Sequence, residues 1–239
     1  MKLTASRSKA AYTAEAVPGC QVARRFRLPG ARGRRGRFNY LLFLPATYGA
    51  DPDQKWPLIL FLHGRGETGA SLDKIKVHGI PKKVEEQPDF PFITVSPQCP
   101  YDLCWFSELP TLNALLDEVV ASYAVDTQRI YLTGLSMGGY GAWALAGLCP
   151  ERFAAVVPIC GGGEPATVCG LKACPVWAFH GALDELVLPG ESQRMVDALK
   201  ACGGNVRFTL YPDLAHDSWT RTYDDPALYE WLLQQRQPR

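Results

Sequence analysis

The stretch RIYLTGLSMGGYGAW, residues 129–143, decides the fold expected for this chain. Residues 129–135 are mostly apolar and β-branched and predict a buried strand, and residues 137–148 predict the helix that follows it. Between them, Gly134-Leu135-Ser136-Met137-Gly138 has the form G-x-S-x-G. So abrupt a strand-to-helix turn leaves no room for flanking side chains, and it pushes Ser136 out at the carboxyl edge of the sheet. The motif therefore predicts an exposed nucleophilic serine.

The alternation of strand and helix extends in both directions from this stretch. Residues 22–28 and 38–44 predict a starting hairpin. Apolar runs predict further strands at 57–62, 92–96, 153–159, 175–179 and 206–211, and helical spacing predicts helices at 112–123, 191–201 and 226–234. Continuous apolar strands separated by helices are typical of a sheet covered on both faces. The sequence thus predicts an α/β fold with a mostly parallel eight-stranded sheet, with residues 1–21 as a flexible head and 22–239 as a single domain.

Composition excludes several functional classes. The chain has 239 residues, and 47% of them are hydrophobic, which excludes a disordered protein. Its formal net charge of +1 gives no overall positive potential that would attract nucleic acid. Seven arginines lie between Arg24 and Arg37, but prolines and glycines interrupt them, which favours a solvated hairpin turn over a phosphate or nucleic-acid patch. No apolar run approaches 18 residues, which argues against a membrane partner.

The eight cysteines do not form a metal-binding or disulfide pattern. The sequence has no C-x-x-C, and none of its four histidines has zinc-finger spacing to a cysteine pair. No secretory signal is recognised at the start, so a reduced cytoplasmic protein is expected. In an oxidising compartment, Cys99 with Cys104 and Cys169 with Cys174 would be close enough to pair.

Two residues follow later strands at the edge where Ser136 is expected. Asp184 comes just after the predicted strand 175–179, and His216 just after 206–211. A serine hydroxyl needs a base to become nucleophilic, and an acid must hold that base. The order Ser136, Asp184, His216 predicts such a triad. A surface role for Asp184, with Asp213 or Asp217 serving His216 instead, is the alternative.

Backbone N–H groups should stabilise the oxyanion of an acyl-transfer reaction. The first donor expected is Met137, directly after the nucleophile, and the second is Arg65 in the glycine-rich loop 63–69, with Gly66 as its substitute. His63 and His180 end strands before glycines and are interpreted as structural turn residues.

Five segments carry a resemblance to a known family: LFLHGRGETG, SPQCP, RIYLTGLSMGGYGAW, VWAFHGALDELV and YPDLAHDSW. They resemble the carboxylesterase/phospholipase branch of the α/β-hydrolases, which includes bacterial proteins described as predicted peptidases, over about residues 38–235. The resemblance implies the α/β-hydrolase fold, with Ser136, Asp184 and His216 as the catalytic residues and Arg65 at the first oxyanion position. An arginine side chain at that position departs from the small or apolar residue common in related loops.

These residues predict a serine carboxylesterase for small-molecule esters that needs no metal or organic cofactor. Only about fifteen residues, rich in glycine, separate residues 159 and 175, which is too short for a large lid. Trp105 and Trp219 are the candidate walls of a shallow cleft for short acyl chains. A peptidase, a feruloyl or acetylxylan-type esterase, a lysophospholipase and a catalytically inactive binding module on the same fold are the alternatives. Oligomeric state does not follow from the sequence.

Overall fold

A computed structural model describes residues 16–31 and 35–237 of the chain. Within these ranges the chain forms one eight-stranded sheet, as predicted. The strands are β1 (Gln21–Arg27), β2 (Arg37–Phe43), β3 (Trp56–Leu62), β4 (Ile93–Gln98), β5 (Val125–Leu135), β6 (Ala155–Ile159), β7 (Val176–Gly181) and β8 (Val206–Tyr211). Their order across the sheet is β1-β2-β4-β3-β5-β6-β7-β8.

Helices connect the strands and cover the sheet. They are α1 (Gly79–Glu86), α2 (Leu109–Ser122), α3 (Met137–Leu148), α4 (Gly190–Ala201), α5 (Trp219–Asp224) and α6 (Pro226–Gln234). Helices α1 and α5 were not predicted. With eight and six residues they are too short to show a helical repeat, and Pro81 interrupts the sequence signal of α1. Short 3₁₀ turns occupy several loops, among them Arg65–Glu67, Leu72–Val77 and Pro165–Ala173.

Strand β3 shows why continuous apolar runs predicted a covered sheet. All seven of its residues are buried. Leu58 and Leu60 point into the larger core, on one face of the sheet, and Ile59 and Phe61 into the core on the other face. Because both faces are covered, alternation of polar and apolar residues is absent from this strand.

The strand directions bring many loops to one edge of the sheet. Strands β3 to β8 are mutually parallel, and β2 is antiparallel to both β1 and β4. The carboxyl end of β1 and the amino end of β2 therefore lie at the same edge as the carboxyl ends of β3 to β8. We refer to it as the carboxyl edge.

Two predicted segments lie partly outside the described residues. Of the head predicted at 1–21, the structure describes only residues 16–21, and β1 already begins at Gln21. Of the arginine-rich turn, residues 32–34 lie outside the described ranges. None of the helices in the described ranges is both long and apolar enough to cross a membrane.

The cysteine pairing expected for an oxidising compartment was wrong. Cys169 is bonded to Cys202, not to Cys174, and Cys99 and Cys104 are both free thiols. Segment Pro165–Ala173 packs against α4, which brings Cys169 to the end of that helix. The thiol of Cys174 instead points inward and donates to the carbonyl oxygen of Phe153. Sequence proximity did not reveal a contact made between two packed elements.

Candidate active site

Ser136 occupies a tight turn between β5 and α3. Its φ of 53° and ψ of −118° are unusual for a residue with a side chain, and its N–H donates to the carbonyl oxygen of Ile159 at 2.9 Å. A β-carbon on Gly138 would overlap the carbonyl oxygen of Leu62, and one on Gly134 would overlap the backbone of Gly138. Both glycines of the motif are therefore required by close backbone approach.

The structure brings the three predicted residues together. His216 Nε2 lies 3.0 Å from Ser136 Oγ, and His216 Nδ1 lies 2.7 Å from Asp184 Oδ2. These residues come from the loops after β5, β7 and β8, at the carboxyl edge. This geometry suits transfer of the serine proton to the imidazole while the carboxylate holds the ring.

Asp184 is held as a carboxylate although it is buried. Burial by itself would raise its pKa, but hydrogen bonds from His216 and from the N–H groups of Val187 and Leu186 outweigh this effect and lower the pKa below its ordinary value. Both backbone N–H groups lie 2.9 Å from Oδ1. The other oxygen, Oδ2, remains available to the histidine.

The alternative acids face other partners. Asp213 forms two hydrogen bonds of 2.8 Å with the guanidinium of Arg221, and both side chains are exposed. Asp217 accepts hydrogen bonds from the N–H and the hydroxyl of Thr220, both at 2.9 Å. Neither carboxylate is hydrogen-bonded to His216, so the geometry favours Asp184.

His180 is a functional candidate that sequence analysis missed. It is fully buried, and its Nε2 lies 3.1 Å from Asp184 Oδ2 and 2.9 Å from the carbonyl oxygen of Val187. Both neighbours are acceptors, so Nε2 carries a proton and donates to them. Nδ1 lies 2.7 Å from the hydroxyl of Ser192. The spacing of four residues between His180 and Asp184 was the available signal, but a strand end followed by glycine looks the same when it is structural.

The two segments expected to carry the oxyanion donors lie next to Ser136. Met137 begins α3, where the first N–H groups have no partner within the helix; the first α-helical bond runs from Tyr140 N–H to the carbonyl oxygen of Ser136. Arg65 begins a 3₁₀ turn directly after Gly64, at which an added β-carbon would lie 3.6 Å from the Ser136 β-carbon. The loop therefore runs beside the serine, and the Arg65 side chain is exposed there.

His63 connects this loop to the loop after β4 through hydrogen bonds. It is buried, its Nδ1 lies 2.6 Å from the carbonyl oxygen of Gly64, and its Nε2 accepts the N–H of Cys99 at 2.9 Å. Burial lowers the pKa of His63 to about 4, although the Gly64 hydrogen bond acts in the opposite direction. The neutral imidazole thus ties the loop after β3 to the loop after β4.

The two tryptophans expected to wall the cleft have different environments. Trp105 is fully buried, and its indole N–H donates to the carbonyl oxygen of His63 at 2.9 Å. The prediction for Trp105 was wrong, because its ring packs between Phe38 and His63 in the core instead of facing an open cleft. Trp219 is only partly buried, and its ring centroid lies 5.2 Å from that of His216. Its role as a wall of the cleft stays a prediction.

Cys160 also lies beside the site. Its sulfur and the nearest atoms of Asp184 and His216 are all within 4.8 Å of one another. Burial raises the pKa of this thiol to about 12, and metal ions bind the thiolate form of cysteine. Asp184 Oδ2 and both ring nitrogens of His216 are already engaged in hydrogen bonds of 2.7–3.1 Å, so the three side chains form a hydrogen-bonded site.

Comparisons with known proteins agree with this architecture. The model of the dienelactone hydrolase family matches residues 108–229. The crystal structure of a thermostable esterase superposes with a TM-score of 0.79 at 32% sequence identity, covering 92% of this chain and 64% of that one. The feruloyl esterase module from Clostridium thermocellum, complexed with sinapinate, superposes with a TM-score of 0.67 at 18% identity, covering 89% of this chain and 88% of that one. These likenesses confirm the predicted α/β-hydrolase fold.

A curated relative adds a further likeness. The bifunctional acetylxylan esterase/xylanase XynS20E of Neocallimastix patriciarum is 24% identical over 180 residues, which is 73% of this chain and 26% of that protein. The chain spans between 13% and 40% of the length of the curated relatives it matches here.

Proposed function

The chain belongs to the dienelactone hydrolase family, and we propose that it is a serine esterase with Ser136 as nucleophile, His216 as base and Asp184 as the acid that orients it. One observation carries the proposal: a single imidazole lies 3.0 Å from the Ser136 hydroxyl and 2.7 Å from the Asp184 carboxylate. The opposite nitrogens of the ring make these two contacts, as proton transfer from the serine requires.

The proposed reaction follows from this arrangement. Ser136 Oγ attacks the ester carbonyl while its proton passes to His216 Nε2, and the N–H groups of Met137 and Arg65 stabilise the negative oxygen. The C–O bond to the alcohol then breaks, and His216 returns the proton to the departing oxygen. Water activated by the same imidazole attacks the acyl-enzyme, releases the carboxylic acid and restores Ser136.

We propose short acyl chains as substrates. The segment between β6 and β7, where a lid would insert, folds as the 3₁₀ segment Pro165–Ala173, which packs on α4 and is joined to it by Cys169–Cys202. Without a lid from this segment, the acyl group rests against the surface beside Trp219. Each buried methylene contributes about 0.8 kcal/mol only while it finds apolar contact.

The second candidate is esterase action on an acyl group of a larger carbohydrate. It is favoured by the names of two similar proteins, one an acetylxylan esterase and the other a feruloyl esterase module. The chemistry at Ser136 is the same for both candidates. They differ in what lies on the alcohol side of the ester.

Covalent labelling tests the nucleophile. A fluorophosphonate should add once to the wild-type chain, and peptide mapping should place it on Ser136. Ser136→Ala should abolish the label and lower kcat by about 10⁴-fold or more, while the circular dichroism spectrum is retained. Ser122→Ala, which changes an exposed serine at the end of α2, is the control and should label normally. Labelling of another serine in the Ser136→Ala variant contradicts the proposal.

A substrate panel tests the acyl preference. Nitrophenyl esters from acetyl to palmitoyl should give a maximum of kcat/KM at roughly two to six carbons. Acetylated xylan, methyl ferulate and a peptide nitroanilide, assayed in parallel, separate the carbohydrate esterase and the peptidase from the simple esterase. A steady rise to palmitoyl, or a jump in rate above the micelle concentration, indicates a lipase or lysophospholipase.

The cellular compartment stays a prediction. A cytoplasmic location was expected, whereas the bond between Cys169 and Cys202 favours an oxidising compartment, because disulfides are rare in the cytosol. Thiol counting on unfolded protein isolated under alkylating conditions should give six free thiols with this bond and eight without it. The expectations of no nucleic-acid and no membrane partner likewise stay predictions.

A further inference from the structure

A cavity of about 460 Å³ lies at the carboxyl edge, on the side of the sheet formed by β1, β2 and β4. Three arginines, Arg25, Arg27 and Arg37, line it, together with Asn39 and Gln98. None of the described residues that line it is acidic. The proposed esterase chemistry uses none of these residues.

The strand register explains how the arginines come together. Arg27 of β1 is directly opposite Arg37 of β2, and Arg25 is opposite Asn39. Successive side chains of a strand alternate between faces, so these four residues share one face of the hairpin. Like charges placed directly opposite each other destabilise a strand pair. A negatively charged ligand in the cavity would remove that repulsion.

Gln98 adds an unsatisfied acceptor to the lining. It is only 2% exposed, and its amide nitrogen donates to the carbonyl oxygens of Glu67 and Ser71, both at 2.8 Å. These two bonds fix the orientation of the amide. Its Oε1 is buried and has no hydrogen-bond partner among the described residues. Buried polar atoms generally need a hydrogen-bond partner. Because Oε1 is itself buried, a hydroxyl group in the cavity reaches it only when the lining shifts.

One loop connects the cavity with the candidate active site. Gly64, at the start of the loop after β3, lies against Ser136, and Gly69, at the other end, lines the cavity. Gln98 ends β4, which is separated from β5 and its Ser136 by β3 alone. Neighbouring strands are about 4.8 Å apart, so Gln98 on β4 is about 10 Å from β5, the strand that leads to the serine, whereas Arg37 on β2 and Arg27 on β1 are about 14 and 19 Å from it. The ester and the anionic group therefore lie at opposite ends of an extended substrate that is longer than one sugar.

We propose that this cavity is a subsite for an anionic, hydroxylated part of the ester substrate, namely a sugar that carries a carboxylate or a phosphate. Guanidinium groups bind either anion through charge-assisted hydrogen bonds, and the amides of Asn39 and Gln98 suit hydroxyl groups. The inference rests on the proposed esterase function and specifies which substrate class the site selects.

Calorimetric titration of the full-length Ser136→Ala protein tests the subsite without turnover. Glucuronate and glucose 6-phosphate are the anionic probes, and glucose is the neutral probe of the same shape. At least one anion should bind about tenfold more tightly than glucose, because two exposed charge-assisted contacts together contribute about that factor. The tighter anion identifies the carboxylate or the phosphate as the group recognised. Equal affinity for all three sugars overturns the proposal.

Matched charge variants locate the binding. In the same background, Arg27→Gln with Arg37→Gln should weaken the anion by about tenfold. Lys55→Gln with Lys200→Gln removes two positive charges from exposed residues elsewhere and should change the affinity by less than about twofold. Equal loss in both pairs would show nonspecific attraction, and no loss in the arginine pair would place the sugar elsewhere. Either result overturns the subsite but leaves fluorophosphonate labelling of Ser136 intact, so the two proposals fail separately.

Discussion

The two sides of the carboxyl edge are organised in opposite ways. Around Ser136, on the side of β5 to β8, the interacting atoms of Asp184 and His216 are paired at 2.7–3.1 Å. On the side of β1, β2 and β4, Arg27 and Arg37 face each other across two strands, and Gln98 Oε1 has no hydrogen-bond partner within the described chain. The hydrogen bonds of the candidate triad are formed without a ligand. On the other side, a guanidinium N–H of Arg27 donates to the carbonyl oxygen of Ala31 at 3.1 Å, and the proposed ligand would add further contacts.

Under the two proposals, the two sides of the edge have different tasks. Chemistry needs groups held in place before the substrate arrives, because reorganisation during the reaction adds to the barrier. Recognition needs unsatisfied groups, because affinity comes from contacts that the ligand alone supplies. The loop from Gly64 to Gly69 touches both regions, and His63 holds it to the loop after β4.

The largest loss of activity is expected when the acid of the candidate triad is replaced. Asp184→Asn keeps the size of the side chain but places an amide beside His216, which favours the wrong tautomer, so kcat should fall by about 10⁴-fold. Steady-state kinetics with nitrophenyl acetate measures the loss. Asp213→Asn and Asp217→Asn are the matched controls, because both acids are exposed and engaged elsewhere. A mild Asp184→Asn effect together with severe loss in either control would show that the acid was misassigned.

The second prediction concerns the pH dependence of the free energy of unfolding, to which buried His63 contributes. In the folded protein the pKa of His63 is lowered from 6.5 to about 4. The unfolded chain therefore takes up a proton between these values that the folded chain does not, and stability falls as the pH decreases from about 6.5 to 4. A difference of roughly two to three pKa units corresponds to about 3 kcal/mol. Protonation at Nε2 would also place an N–H against the N–H of Cys99.

Urea unfolding of wild type and His63→Gln across this pH range measures the effect. The variant should be less stable at pH 7 and should show a flatter dependence of the free energy of unfolding on pH. The pKa of Asp184 is lowered from its ordinary value of 3.8, so the stability that Asp184 contributes is lost only as the pH falls below about 3.8. The pH ranges in which His63 and Asp184 change the stability are therefore separate. Parallel pH profiles for wild type and variant would refute the assignment to His63.

A smaller loss of activity is expected when His180, which donates to Asp184, is replaced. His180→Leu removes the donor to Asp184 Oδ2 and should lower kcat by about tenfold with KM unchanged, because the carboxylate is less well positioned. His180→Gln retains a donor and should recover activity to within about threefold of wild type. Thermal melts separate this loss from a change in folding. Equal losses of kcat in the two variants at matched stability would mean that His180 only fills space.

The sequence predicted the parts of the site that depend on local backbone constraints. Glycine is required in the G-x-S-x-G turn because a β-carbon on Gly138 would overlap the backbone of Leu62. The two glycines of the motif therefore indicate the turn in the sequence. The loops after β7 and β8 reach the same edge because parallel strands end together. Trp105 was misplaced because an aromatic residue in a loop gives no sign of whether it packs inward, and here its indole N–H reaches the carbonyl oxygen of His63.

From the sequence one could predict the eight strands, four of the helices, a nucleophilic serine and its histidine base, since each follows from periodicity or from a fixed position after a strand. The family resemblance came from the five quoted segments. The folded chain was needed to show that Asp184 is the acid facing His216, that His180 bonds to that acid, that Cys169 pairs with Cys202, and that Arg27 lies opposite Arg37 near Gln98. These contacts join residues through strand register and helix packing, and register depends on the whole sheet. A single segment read alone therefore does not contain them.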